Sequence, residues 1–467
     1  MKKFLFLLIA VFAIACTAAE KPKYLFLFIG DGMSIPQRMV GEEFAQKQGK
    51  KLVMNHMPYT ATTRTSSASS FVTDSAAAAT AIACGTKTAN GRLGVDAKGE
   101  RLESMAEVAK KAGYKVGIVT SVNLNHATPG GFYAHRKSRG EGYNIGLDLI
   151  ASEFDYFAGG MFFGRNDTKN PNYKGDILQV AKKAGYKVVK GAAGLKSLTA
   201  ADKKVLMRAE RDRITPAIDG GNPGADLHDM VAKGIELLDN PKGFFMMVEG
   251  GAIDWAGHAN DAAENLHELL ALDKAVEVAM EFAKKHPKET LIVVTGDHET
   301  GGMTMGFAGS GRKFAVNLLV NQKISIARFG GILAAKTKEK AKAEPAKAEP
   351  AQAEAAKAEP AKKKQTVTLS FEEVKPLLTE YFGFKFEAGS PMSLTEKEVK
   401  FLEEEHKKNK LTAAVRRMMS SKCGVKWSTG GHSAMPVLTT AMGCNAEIFT
   451  GFIENTDIAK KFKALMQ

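Results

Sequence analysis

Six short stretches of the sequence combine residue types that bind cations or attack phosphorus. Asp31 stands between Gly30 and Gly32 after the apolar Phe28-Ile29, a carboxylate whose small neighbours permit close approach. Thr73-Asp74-Ser75 precedes the Ala-rich residues 76–81, so Ser75 opens a helix. There free amide donors and the helix dipole favour an alkoxide or a bound phosphate. Asn125-His126-Ala127-Thr128 offers an imidazole and a hydroxyl, and Arg139 a planar fork for phosphate oxygens. In Glu249-Gly250-Gly251-Ala252-Ile253-Asp254-Trp255-Ala256-Gly257-His258, a helix would put Asp254 and His258 on one face behind the glutamate. Such mixed oxygen and nitrogen donors suit zinc beside a harder cation. Asp297-His298 and Thr429-Gly430-Gly431-His432 supply the remaining ligand types. Singly, Asp31 fits an Asx turn and Ser75 a plain helix cap. No G-x-S-x-G elbow surrounds Ser75 and the chain has no G-x-x-x-x-G-K-[ST] loop, which disfavours ordinary serine-hydrolase and P-loop chemistry.

These residues need a frame that brings them together. Apolar runs at 24–29, 116–120, 244–248, 291–295 and 437–442 read as buried parallel strands. Helical patterns separate them; those at 102–112 and 175–184 both end in Lys-Lys-Ala-Gly-Tyr-Lys-Val, where Gly113 and Gly185 would cap a helix before a strand. The alternation predicts an α/β fold with a doubly covered sheet, whose ligands bind beyond the carboxyl ends of the strands. Four or five of the six stretches fall at such strand mouths, which turns alone do not explain.

Taken together, the Asp-Ser-Ala run, the Glu-x4-Asp-x3-His spacing, Thr-Gly-Asp-His-Glu and Thr-Gly-Gly-His closely resemble the metal-dependent alkaline phosphatases. The likeness runs from Asp31 to Glu454-Asn455-Thr456-Asp457, excluding much of the insertion at 303–426. It implies a three-layer α/β/α sandwich with a large, mostly parallel central sheet and an inserted crown-like segment. It also implies a phosphoric monoester hydrolase that passes through a phosphoserine at Ser75, with Arg139 clamping the non-bridging oxygens. Two zinc ions are implied, the first on Asp254, His258 and His432, the second on Asp31, Asp297 and His298. A third site, for magnesium, would use Glu249 and Thr128 with Asp31. His126 and Trp255 stand where the enterobacterial type carries Asp and Lys; a neutral imidazole there lowers the local negative charge and lets zinc compete for the third site. Because the serine and a metal-bound water must lose protons, activity should rise into alkaline pH. The resemblance further implies a homodimer. A sulfatase is excluded, since Ala76 to Ala79 replace the x-Pro-x-Arg that should follow its nucleophile. A phosphodiesterase of the same superfamily and a non-catalytic surface metal-binding protein are the competing readings.

The rest of the chain sets organisation and address. Lys2 and Lys3 precede a short apolar run, 4–15, which reads as an export signal peptide over 1–15. Ala13-Ile14-Ala15 permits simple cleavage, while Cys16 resembles a bacterial lipoprotein site, so the protein is expected to be periplasmic or tethered to a membrane as a lipoprotein. The catalytic domain is expected over 22–302 plus 427–467, interrupted by an insertion, 303–426. Within it, 336–364 is an Ala/Glu/Pro/Lys tract with nine Lys against five Glu that cannot bury a core and reads as an exposed loop. That tract carries part of the net +14, and the remaining basic residues are scattered without an aromatic-interleaved stripe, so no nucleic-acid partner is expected. Cys423 and Cys444 could form a disulfide in an oxidising compartment, leaving Cys84 as a buried thiol.

Overall fold

The computed structural model describes residues 21–211, 213–310, 314–343 and 367–467. The leader, with Cys16, and most of the low-complexity tract lie outside the described residues. In β1 (Tyr24–Gly30) every residue is buried: Leu25, Leu27 and Ile29 join one apolar cluster, Tyr24, Phe26 and Phe28 another. A strand apolar on both faces must be covered on both, and this makes three layers. One face carries the helices Ser75–Cys84, Met105–Lys111, Gly142–Ala151 and Asn455–Met466; the other carries Ile35–Gln46, Leu227–Leu238 and Ala262–Lys285.

Besides β1, the central sheet contains β2 (Tyr59–Arg64), β3 (Lys115–Asn123), β4 (Tyr156–Gly160), β5 (Lys187–Lys190), β6 (Val205–Arg208), β7 (Phe244–Gly250) and β8 (Thr290–Gly296). Four short strands follow, β9 (Glu299–Thr300), β10 (Met303–Met305), β11 (Val425–Trp427) and β12 (His432–Ser433), and then β13 (Val437–Gly443) and β14 (Gly451–Glu454) return to the sheet. Its order is β14-β2-β13-β8-β1-β7-β3-β4-β6-β5. The expected mostly parallel, doubly covered α/β architecture is therefore present, with one correction. The run at 437–442 forms a strand, but β13 lies antiparallel to both β2 and β8. The reversal follows from the ligand pattern itself. His432 precedes its strand, whereas the other ligand groups follow or end theirs, so only a reversed strand brings it to the same edge.

The two expected helix-ending glycines, Gly113 and Gly185, have φ of 88° and 86°, the left-handed conformation of a helix C-terminus. Between Ile324 and Met419 a separate apolar cluster forms around Phe329, Leu378, Phe382 and Leu402. The chain leaves for it and returns through an antiparallel pair in which Met303 faces Trp427. The low-complexity tract does not begin as a loop: residues 336–343 are the last turns of the helix Ile326–Ala343. Ala, Lys and Glu are strong helix formers, and the first breaker, Pro345, comes only after them. No disulfide joins Cys423 to Cys444. Cys423 is a buried free thiol packed with Val425 and Met303, and Cys444 follows β13 at the opposite end of that strand. Cys84 is buried and free as expected, and burial pushes its thiol up to about 12.

Candidate active site

All the proposed ligand groups converge on one edge of the sheet. Asp31 follows β1, Asp297-His298 follow β8, and Glu249 is the penultimate residue of β7. Asp254 and His258 lie on the helix Ala252–Ala259 that leaves β7. Gly32 turns the chain behind Asp31 with φ of 72°, and a Cβ there would lie 2.8 Å from Thr300 Oγ1 and 2.9 Å from Asp254 Cα, so only glycine fits. Its amide donates to Asp297 Oδ1 at 3.0 Å, locking the β1 and β8 mouths together.

Three clusters result, joined by shared residues. In the first, His258 Nε2 lies 3.4 Å from Asp254 Oδ2 and 3.3 Å from His432 Nε2, with His432 Nε2 3.6 Å from Asp254 Oδ1. In the second, His298 Nε2 lies 3.4 Å from Asp31 Oδ1 and 3.3 Å from Asp297 Oδ2. The third contains Asp31, His126 and Glu249, with the Thr128 hydroxyl beside them donating to Asp31 Oδ2 at 3.1 Å. Asp31 thus turns one oxygen to each of two clusters. The histidines are oriented from behind: Nδ1 of His258 contacts Gly430 O at 2.7 Å and Nδ1 of His432 contacts Thr73 O at 2.9 Å, leaving each Nε2 free to ligate.

These groups are costly as they stand. Among the described residues eight buried side-chain polar atoms lack a hydrogen-bond partner, and four of them, Asp31 Oδ1, His126 Nδ1, Glu249 Oε1 and Asp297 Oδ2, lie here. Burial, with the neighbouring charges of Asp297, Asp254 and Glu249, pushes the Asp31 carboxyl well above the usual carboxylate range. Burial does the same to Asp297 and drives His298 well below the usual histidine range. Although burial opposes it, Asp254 is held well below the carboxylate range by His258, and that bond raises His258 to about 9. Orphaned carboxylate oxygens and imidazole nitrogens arranged in this way fit divalent cations, which would restore the charged carboxylates.

Ser75 sits over the second cluster. Its Oγ is 3.2 Å from His298 Nε2, and it is the first residue of its helix, 1% exposed. The helix cap is Asp74, not Ser75: Asp74 Oδ1 accepts from Ala77 N at 3.0 Å, which leaves the serine hydroxyl to the cluster. Asp74 Oδ2 also accepts from Arg139 Nη1 at 3.1 Å, while Arg139 Nη2 approaches His126 Nε2 at 3.3 Å. An arginine only donates, so His126 Nε2 is the acceptor and its proton lies on Nδ1, facing Asp31 and Glu249 at 4.0 and 3.8 Å. His126 packs edge-on against Trp255 at 6.0 Å, and Arg213 lies over the indole at 5.1 Å.

Four residues here escape a reading of isolated motifs. Asp74 aims Arg139; Thr120 donates to Glu249; Thr300 donates to Asp254; and Glu299 accepts from Gln37 at 2.7 Å and from Ser433. Only Asp74 had a local signal, an N-cap type before a helical run.

With the geometry fixed, relatives can be compared. The family model described as alkaline phosphatase matches residues 22–467. The chain belongs to the alkaline phosphatase family. Members of the family are metal-dependent hydrolases of phosphate monoesters, using zinc and magnesium. Alkaline phosphatase 3 of Bacillus subtilis is 30% identical over 96% of this chain and 89% of its own. The cold-active alkaline phosphatase from the psychrophile Shewanella sp. superposes with a TM-score of 0.77 at 28% identity, covering 95% of this chain and all of that one. A histidine-to-aspartate variant of the alkaline phosphatase from the Antarctic bacterium TAB5, solved with magnesium in its M3 site, is 25% identical with a TM-score of 0.63 over 96% and 99% of the two chains.

Proposed function

We propose that this alkaline phosphatase cleaves phosphate monoesters through a phosphoserine on Ser75, over two zinc ions and a third cation. The observation that carries the reading is Ser75 Oγ, 3.2 Å from a histidine nitrogen that also faces the unpartnered carboxylate oxygens of Asp31 and Asp297. Asp254, His258 and His432 would hold the first zinc; Asp31, Asp297 and His298 the second; Asp31, Thr128 and Glu249 the third ion. When bound, the cations supply positive charge for the serine alkoxide, the leaving oxygen and the phosphoryl oxygens. The protein does the positioning. Asp74 begins the helix that presents Ser75, and by pairing with Arg139 it holds the guanidinium beside the nucleophile, where two non-bridging oxygens can be taken bidentately. Ser75 attacks phosphorus, the ester oxygen leaves, and water cleaves the phosphoserine from the vacated side.

A monoester presents three free oxygens, two for Arg139 and one for the cations, whereas a diester keeps only two and cannot serve both. Zinc-reconstituted protein should therefore turn over an aryl phosphate monoester well ahead of the matching diester and sulfate; comparable diester turnover would overturn the reading. Arg139→Ala should keep its zinc and raise KM for the monoester by roughly tenfold or more, the loss of a charge-assisted pair. Zinc lost on that substitution would show that Arg139 supports the metal sites instead.

The third site depends on His126. Its Nδ1 faces Asp31 and Glu249 at 4.0 and 3.8 Å without a hydrogen-bond partner. His126→Asp exchanges that imidazole for a negative charge beside Asp31 and Glu249, so magnesium affinity should rise by about tenfold or more. The magnesium held by the TAB5 histidine-to-aspartate variant fits this. Magnesium titration of the zinc-loaded variant checks it; unchanged affinity would place His126 away from the third ion.

The remaining parts of the reading concern organisation. Residues 22–302 with 427–467 form the catalytic unit and 303–426 an insertion, supported by the β10–β11 pair at its neck and its own apolar cluster. A homodimer is supported by exposed Phe71 and Phe452, on the loop after β2 and on the edge strand β14. No helix among the described residues is long and apolar enough to cross a membrane; export with an anchor at Cys16 is the reading of the leader sequence alone.

A further inference from the structure

Glu299 is fully buried beside the metal ligands yet turned away from them. In the two-residue strand β9 its neighbour Thr300 points to the cluster, donating to Asp254 and lying 3.3 Å from His298 Nδ1, so strand alternation sends Glu299 to the opposite side. There its two oxygens take four donors. Oε1 accepts from Gln37 Nε2 at 2.7 Å and Met303 N at 3.0 Å; Oε2 accepts from Gly302 N at 2.9 Å and from the Ser433 hydroxyl. Four donors fill a carboxylate's acceptor capacity and offset its burial.

The donors come from three separate ligand-bearing segments. Gln37 lies on the helix Ile35–Gln46 just after Asp31, and its own oxygen accepts from Ser34 N at 3.1 Å while its amide also reaches Thr300 O. Gly302 and Met303 follow Asp297-His298. Ser433 follows His432, and the β9–β12 register sets Ser433 opposite Glu299 and His432 opposite Thr300. One carboxylate thus ties the Asp31 turn, the Asp297-His298 turn and the His432 strand at a single point behind both zinc clusters.

We propose that Glu299 is a positioning residue that couples the first and second zinc sites. Filling one orders the shared knot, so the second ion meets a site whose ordering cost is already met, and zinc loads cooperatively. The inference rests on the two-zinc reading above.

The test is zinc titration of the metal-free full chain, in competition with a chelator and repeated with cobalt(II), whose visible absorption reports each site's geometry. Wild-type protein should fill both sites in one cooperative step. Glu299→Gln keeps the volume and the fold but turns an amide N–H against the Gly302 N–H. It should separate loading into two steps, with the weaker site's affinity down 10- to 100-fold, the range for groups that orient metal ligands. In the metal-free protein the Gly302 amide should exchange its hydrogen faster in the variant. Glu299→Ala, which removes both acceptor oxygens and all four hydrogen bonds, should do the same more severely, and the Gln variant decides the matter if the Ala variant fails to fold. A Gln variant that loads as wild type, or that weakens both sites equally with cooperativity kept, overturns the coupling role. A wild-type chain that binds no zinc would instead overturn the two-zinc reading itself.

Discussion

Ser75→Ala should lower kcat/KM for a phosphate monoester by about 10⁴-fold while leaving zinc and phosphate binding intact. The oxygen removed is the one 3.2 Å from His298, which keeps its contacts with Asp31 and Asp297, and the other carboxylates and imidazoles of the clusters are held by different partners. The helix start also survives, because Asp74 and not the serine caps it. Fold, metal content and phosphate affinity therefore isolate the loss to the attacking atom, and slow direct hydrolysis by water should persist. Brief exposure to radiolabelled substrate followed by acid quench should label the wild type at Ser75 and leave the variant unlabelled. Label found on any other residue would sink the assignment.

Stripping the metals should abolish activity and lower thermal stability, and zinc should restore both. Without cations the edge of the sheet holds Asp31, Asp254, Asp297 and Glu249 at no more than 4% exposure, three of them with an unpartnered oxygen. Binding that favours the folded state adds RT ln(1 + [L]/Kd), about 4 kcal/mol per site at a thousandfold excess over Kd. Two such sites rival the net stability of a typical domain. The comparison of variants sharpens the expectation: His432→Ala should lose one zinc equivalent and about half of the stabilisation, while Arg139→Ala should lose neither. Scanning calorimetry with metal analysis on the same samples decides it. Full activity in protein shown to be metal-free would rule out the cation-dependent chemistry.

Much of this candidate site is legible in the sequence because Asp31, Glu249, Asp254, His258, Asp297 and His298 end or follow apolar runs, and the end of a buried strand is a location that composition alone reveals; His432 instead precedes its run. β1, β3, β7 and β8 were readable for that reason. β2 was not, since its Thr-rich residues are only alternately buried, and β4, β5, β6 and β14 are five residues or shorter. The direction of β13 is a property of its connections and leaves no mark on its residues. Pairings were equally hidden. Asp74, Thr120, Thr300 and Glu299 are common residue types, and what each does is set by a partner 46 to 262 residues away, as with Asp74 and Arg139, Thr120 and Glu249, Thr300 and Asp254, or Glu299 and Gln37.

The reversed strand has a consequence for how the molecule is made. β13 lies between β2 and β8, so a chain emerging from its N-terminus carries both flanking strands long before the one that joins them. Until residues 437–443 arrive, β2 has no neighbour on that side, and the helix bearing Ser75 hangs from a strand not yet built into the sheet. His432 enters on the same late segment. Contacts that close over nearly four hundred residues form slowly, because the entropy of closing the loop is met before any contact repays it. The helix of Ser75 and the candidate metal clusters therefore stay incomplete until this C-terminal segment joins the sheet, and a chain stopped short of residue 432 would lack the His432 member of the first cluster.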